Sequence, residues 1–314
     1  MKHEEKQYLD IIKDILDNGT WKDPARPGMP RTKELFFRTM SFDMSNGSYP
    51  LFTTKKMAWK TCLTELTWFL KGDTNIKYLI ENGCNIWTDD AYRWYSKLSK
   101  NMNSKMTKEE FIEAVKQEKI YAFKTDKEGV LRYYKAGDLG KVYGKQWRHF
   151  GKGFDQIDYI INAIKNKPNS RYHIINAWNG DEFLGVDANV ALPTCHVFYQ
   201  FCVNGDKLDL MMLQRSCDMF LGVPFDIASG AALLTIIAHH TGYKPGMFHW
   251  VGNSCHLYEN HLEQAAELIT REPFEFPKLN VNWKNKIEDY VKEDFSLDNY
   301  QSHDRIYAPL SVGI

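Results

Sequence analysis

Cys195 and Arg215 are the first two residues of this sequence that could do chemistry together. Two runs, HVFYQFCV and KLDLMMLQ, flank Asn204-Gly205, the commonest chemistry for a two-residue hairpin turn, so they are expected to pair antiparallel. That pairing sets Cys195 beside Arg215 at the hairpin's open end. A thiol attacks only as its thiolate, and a neighbouring guanidinium favours the charged form. Cys195 is therefore the candidate nucleophile, while Cys62, Cys84, Cys202 and Cys217 read as small apolar residues. Asp226 is the second candidate. It closes the stretch RSCDMFLGVPFD, and a carboxylate set against so apolar a run is costly unless something specific binds it. Glu65 poses the same question among Leu63, Leu66, Trp68 and Phe69.

Other chemistries are excluded by spacing. Cys255, His256 and His261 cluster in sequence and His239 adjoins His240, but no two lie at i, i+4 on a helix face and no CxxC supports a metal site, so none is expected. Phosphate-binding glycine loops of the GxxxxGK[ST] and GxGxxG types are absent, which argues against nucleoside triphosphates and dinucleotides. Forty basic and forty acidic residues cancel in the 314-residue chain. No global field then attracts nucleic acid or a membrane, although a local basic pocket for a small anion remains compatible. The longest uncharged stretches fall short of a bilayer span, the first residues lack a signal-peptide pattern, and six cysteines without CxxC pairing suit a reducing cytoplasm.

The elements that must position these residues are legible in outline. Apolar residues at Tyr8, Ile11, Ile12, Ile15 and Leu16 predict a helix over 3–18. The segment WKDPARPGMPR, stiffened by three prolines, holds Arg26 and Arg31 outside regular structure. TCLTELTWFLKGDTNIKYLIENG predicts two helices broken near Gly72-Asp73, with Glu65 on the first. Residues 98–137 are dense in lysines and acids and read as an insertion, in which TKEE at Thr107 marks a helix start. A helix is expected over 154–166, a strand at RYHIINAW, a buried helix at IASGAALLTIIAHHTG and an amphipathic helix at HLYENHLEQAAELITRE. The class is α+β, one domain over 1–314 with a mixed or antiparallel sheet covered by helices.

Six co-linear segments, TELTWFLKGDTNIKYLIENGCNIW, GDLGKVYGKQWR, SRYHIINAWN, ALPTCH, LQRSCDMFLGVPFDIAS and CHLYENH, together resemble the thymidylate synthase family. They span most of the chain outside 98–137. The resemblance implies the family's fold, with a sheet face forming a homodimer interface. It also implies folate-dependent one-carbon transfer to C5 of a pyrimidine nucleotide monophosphate, with 5,10-methylenetetrahydrofolate as cofactor. By resemblance Cys195 adds to C6, Glu65 moves protons, and Tyr143 and His196 are further polar groups of the active site. Arg31, Arg215 and Ser216 look like ligands of the 5′-phosphate, joined by Arg171 donated from the partner subunit. Gln214 looks like a further substrate contact, and His256 and Tyr258 match the pair on the sugar 3′-hydroxyl. Ile86, Trp87, Leu192, Leu221, Gly222 and Phe225 fall where the family packs the folate, with Asp218 bonding its pterin ring.

Where the family's dUMP enzymes carry Asn in their PFN motif, this chain carries Asp226. A carboxylate accepts from the exocyclic amine of cytosine and shares a proton with N3, whereas it donates to uracil O4 only when protonated. The mismatch costs roughly 1–3 kcal/mol in the wrong complex. The same replacement marks the dCMP hydroxymethylase branch, which makes 5-hydroxymethyl-dCMP for a modified DNA by adding water and releasing tetrahydrofolate. Thymidylate synthesis from dUMP with dihydrofolate release, or C5-methylation of dCMP, is the alternative. Asp90 stands where a second tryptophan is usual, Tyr172 where a second arginine is usual, and Thr194 where a proline precedes the nucleophile. The tail YAPLSVGI is longer than the family's usual end.

Overall fold

The computed structural model describes residues 3–24, 28–99, 106–124, 131–185 and 189–310. Arg26, parts of the 98–137 insertion and the last four residues of the YAPLSVGI tail lie outside the described residues. The chain opens with α1 (Lys6–Asn18), β1 (Thr20–Lys22) and β2 (Thr32–Asp43), followed by α2 (Trp59–Leu70), α3 (Lys77–Glu81) and α4 (Thr88–Leu98). The segment read as an insertion carries α5 (Lys108–Lys116) and a hairpin of β3 (Ile120–Lys124) with β4 (Leu131–Lys135). Next come α6 (Tyr143–Arg148), α7 (Gln156–Asn166), β5 (Ile174–Asn176) and α8 (Gly180–Leu184). The remainder is β6 (His196–Asn204), β7 (Lys207–Asp218), α9 (Gly222–Thr241), β8 (Lys244–Tyr258), α10 (Leu262–Leu268), β9 (Lys278–Val281) and β10 (Phe295–Asp298).

Six strands form one sheet in the order β1-β2-β8-β7-β6-β5. Every pair is antiparallel except β7 with β8, and a parallel pair needs a long crossover, which α9 supplies. The sheet is therefore mixed, as the composition of elements suggested. The Asn204-Gly205 turn closes β6 on β7 in the expected register, Asn204 opposite Lys207 and His196 opposite Gln214. On the face that packs α9, residues such as Leu210, Met212, Phe248 and Trp250 are buried, while Met211, Leu213, His249 and Val251 on the other face are only half-buried. Phe36 and Phe37 on β2 are 73% and 55% exposed.

Several expectations are corrected. RYHIINAW is strand only over Ile174–Asn176. HLYENHLEQAAELITRE is not one helix: its first residues complete β8, a 3₁₀ turn covers Glu259–His261, and the helix spans Leu262–Leu268. Trp21 and Lys22 belong to the short strand β1 instead of an irregular connector. The helix α9 reaches 20 residues and is long and apolar enough to cross a membrane, although the uncharged run within it is shorter; most of it is buried in the core. By contrast, the helix start at Thr107 is as read: its hydroxyl accepts from Glu110 N–H at 3.2 Å, and Glu110 returns the bond to the Thr107 N–H at 2.8 Å.

The N-terminus is tied to the segment before α2 by one carboxylate. Glu5, fully buried, accepts from the backbone N–H groups of Thr53 and Thr54 and from both their hydroxyls, at 2.6–3.0 Å. Four donors to one carboxylate satisfy a charge that burial would otherwise penalise.

Candidate active site

The open end of the β6–β7 hairpin, the first turn of α9 and the end of β8 converge on a cleft of about 850 Å³. Its walls include Glu65 from α2, Ile86 and Trp87 before α4, Leu192 and Cys195 before β6, Gln214, Arg215, Ser216 and Asp218 on β7, Gly222 and Asp226 on α9, and His256 and Tyr258 on β8. Sequence elements more than a hundred residues apart therefore place thiol, carboxylates and sugar-type hydrogen-bonding groups around one space, the usual form of a small-molecule site.

Hydrogen bonds to its backbone hold Cys195 in place. The Arg215 N–H donates to the Cys195 carbonyl at 2.8 Å. The Cys195 N–H donates to the Tyr143 hydroxyl at 2.6 Å, and the His196 N–H to the same oxygen at 3.3 Å. Arg215 is where the hairpin register put it, and its guanidinium donates to the carbonyls of Thr194 at 2.8 Å and Pro193 at 3.0 Å while lying over Trp178. These contacts aim the guanidinium along the loop that presents Cys195. Thr194, in place of the usual proline, is buried and donates to the Ala177 carbonyl at 2.9 Å.

Two carboxylates stand in different surroundings. Glu65 accepts from the Trp87 indole at 2.6 Å, and burial pushes its carboxyl up to about 8, a rise to which the Asp226 charge adds and which the Trp87 bond opposes. At neutral pH it holds a proton, as an acid–base group working near its own pKa should. Asp226 accepts from Gln214 Nε2 at 2.7 Å on one oxygen and has His196 Nε2 3.4 Å from the other. The His196 ring stacks on Tyr143, with centroids 4.3 Å apart, and its Nδ1 meets the buried Tyr199 hydroxyl. Asp218 instead turns inward to its own loop, accepting from the N–H groups of Phe220 and Leu221 at 3.0 and 3.1 Å.

Some expected residues stand elsewhere. Arg31 does not line the cleft: it is exposed, pairs with Glu259 at 3.1 Å and covers Trp21. Arg171 is exposed at the edge of β5, away from this chain's own cleft. Leu221 and Phe225 are absent from the cleft wall and pack on the core; the Phe225 carbonyl faces the Cys62 thiol. Conversely, Asp90, Arg93, Trp94, Lys97, Phe183 and Val190 line the cleft without having been read as site residues. Asp90, at the position of the missing tryptophan, forms a tight ion pair with Arg93. Its spacing from Trp87, one helical turn, was the available signal. No group of three His, Cys, Asp or Glu side chains suited to a metal occurs among the described residues.

Comparisons with known proteins place the chain among relatives. The family described as thymidylate synthase matches residues 6–312. A protein named thymidylate synthase from Mycoplasma mobile is 43% identical over 310 residues, covering 98% of this chain and 100% of the relative. One of the same name from Mycoplasma genitalium is 43% identical over 308 residues, with 98% and 100% covered. Another from Sinorhizobium fredii is 39% identical over 327 residues, with 99% of each covered.

Proposed function

The chain belongs to the thymidylate synthase family, and on that premise we propose that it transfers a one-carbon unit to C5 of dCMP, yielding 5-hydroxymethyl-dCMP. The family is one of folate-dependent one-carbon transferases that bind a pyrimidine nucleotide and are generally dimeric. The observation that carries the cytosine reading is Asp226 at the cleft wall shared with Cys195, in the position of the family's asparagine. The whole chain, 1–314, then works as one catalytic unit, with 98–137 an insertion beside it.

In this reading the Cys195 sulfur bonds to C6 of the base, and the electron pair displaced from the C5–C6 double bond makes C5 nucleophilic while N3 takes up a proton. Asp226 accepts from the N4 amine and from that N3–H. Arg215 and Ser216 hold the phosphate, with Arg171 reaching over from a partner subunit. His256 and Tyr258 bind the 3′-hydroxyl. Ile86, Trp87, Leu192 and Gly222, on the wall of the same cleft, would hold the folate, and 5,10-methylenetetrahydrofolate would supply a carbon at the oxidation level of formaldehyde. Glu65, protonated at neutral pH, handles protons at the base. With the carbon on C5, tetrahydrofolate would leave and C5 would give up its proton; water would add its oxygen to the exocyclic carbon, and expulsion of the Cys195 sulfur from C6 would restore the ring double bond, the charged pair Asp90–Arg93 making that side of the cleft hospitable to water. Six cysteines with no disulfide among them fit a reducing, cytoplasmic setting.

The relatives' printed names favour a second reading, thymidylate synthesis from dUMP with dihydrofolate release; C5-methylation of dCMP is its counterpart on the other base. One experiment separates them. Incubation of dCMP or dUMP with methylenetetrahydrofolate is followed by dihydrofolate absorbance and product mass. The expected result is a product from dCMP heavier by CH2O, without dihydrofolate. Stoichiometric dihydrofolate, or turnover of dUMP alone, overturns the hydroxymethylase reading.

A further inference from the structure

Behind Asp226 runs a hydrogen-bond chain whose direction is fixed at its far end. Trp250 on β8 is fully buried, and its indole N–H, which can only donate, donates to Gln214 Oε1 at 2.9 Å. With that oxygen taken, the Gln214 amide presents its NH2 group at the opposite end. There it donates to Asp226 Oδ2 at 2.7 Å and to the Ser216 carbonyl at 3.0 Å. The carbonyl is an acceptor only, so it enforces the same orientation from a second side. Neither side chain has space to turn: Gln214 is 2% exposed. The Trp250 ring leans across Gly252, where a Cβ would lie 2.1 Å from Cη2.

We infer that Trp250 and Gln214 are positioning residues that set base specificity, the indole deciding which end of Gln214 faces Asp226 and so fixing that carboxylate as an acceptor-only edge. This rests on the cytosine reading of the site. An O–H on Oδ2 would meet an amide N–H, donor against donor, so on that oxygen lone pairs are what the base encounters. A base edge with an amine and a protonated ring nitrogen supplies two donors to it. An edge with a carbonyl sets acceptor against acceptor, and the unmatched group is penalised.

Trp250→Phe removes the donor and keeps a ring. Gln214 then keeps only the Ser216 carbonyl to hold its NH2 end in place, and each time it turns Oε1 toward Asp226 it sets acceptor against acceptor, a pairing that only an O–H on the carboxyl, a donor for a base carbonyl, would relieve. The dCMP-over-dUMP ratio, measured both as kcat/KM and as nucleotide Kd without folate, is expected to fall by about tenfold or more, in line with the loss of one buried polar match. An unchanged ratio, or equal losses for both nucleotides, overturns the inference. Gln214→Met, similar in length and without an amide, provides the reading if Trp250→Phe does not fold; it should lower the same ratio, and an unchanged ratio overturns the inference equally. Asp226→Asn separates the two levels. If it leaves the ratio unchanged, the cytosine reading fails and takes the inference with it. If it shifts the ratio while the other two variants do not, the inference alone fails.

Discussion

Glu65 gives the site a pH dependence whose sign follows from its surroundings. Because burial raises its carboxyl from an ordinary 4.5 to about 8, the folded chain holds a proton there that the unfolded chain releases. Its contribution to stability is complete below about 4.5 and is lost as pH rises through 8. Glu65→Gln keeps an acceptor for the Trp87 indole but never ionises. Its melting temperature is expected to exceed wild type by more at pH 8 than at pH 5, while kcat falls by about 10²-fold or more; a pH-independent gap in melting temperature refutes the assignment. Trp87→Phe removes the bond that lowers this pKa, so the alkaline limb of the kcat–pH profile should move upward, and a downward move contradicts it. Cys195, Glu65 and Asp226 were legible in the sequence because a thiol or acid in apolar company demands a reason. Tyr199 and Trp250 were not, since a buried aromatic looks like core until its polar atom is traced to a partner.

At the scale of elements, α9 both closes the sheet and carries Asp226 on its first turn. Gly230, four residues further along, lets the helix approach β8: a Cβ there would lie 2.6 Å from the Phe248 ring. Gly230→Ala is expected to cost about 1–3 kcal/mol by overpacking and to lower kcat/KM by displacing the helix start; chemical denaturation with an unchanged midpoint counts against this. Half of the sheet was readable from composition. The β6–β7 hairpin announced itself through Asn204-Gly205 and α9 through its uninterrupted apolar run. β2 and β8 went unread, and with them the strand setting of His256, Tyr258 and Trp250. Gly246 and Gly252 interrupt β8, and β2 sets Phe36 and Phe37, both exposed, among charged residues. A strand that leaves one face for another surface to cover does not show clean alternation.

For the whole molecule, the half-exposed sheet face with Phe36 and Phe37 fits the dimer general in the family, and Arg171, exposed and absent from the wall of its own cleft, fits a residue lent across it. A mixture of Cys195→Ser and Arg171→Ala chains, each inactive alone, should regain activity at about a quarter of its sites on subunit exchange, because half of the dimers are mixed and each has one intact cleft. No recovery at any mixing ratio rejects the shared site. The sheet order holds another consequence. β8 lies between β2 and β7, with Thr32 paired to Tyr258, so the amino-terminal strand waits for a partner made more than two hundred residues later. Contacts of such separation close slowly. A ribosome-bound chain stopped short of β8 would hold Cys195, Glu65 and Asp226 and still have no floor beneath them, so a complete cleft has to wait until late in synthesis.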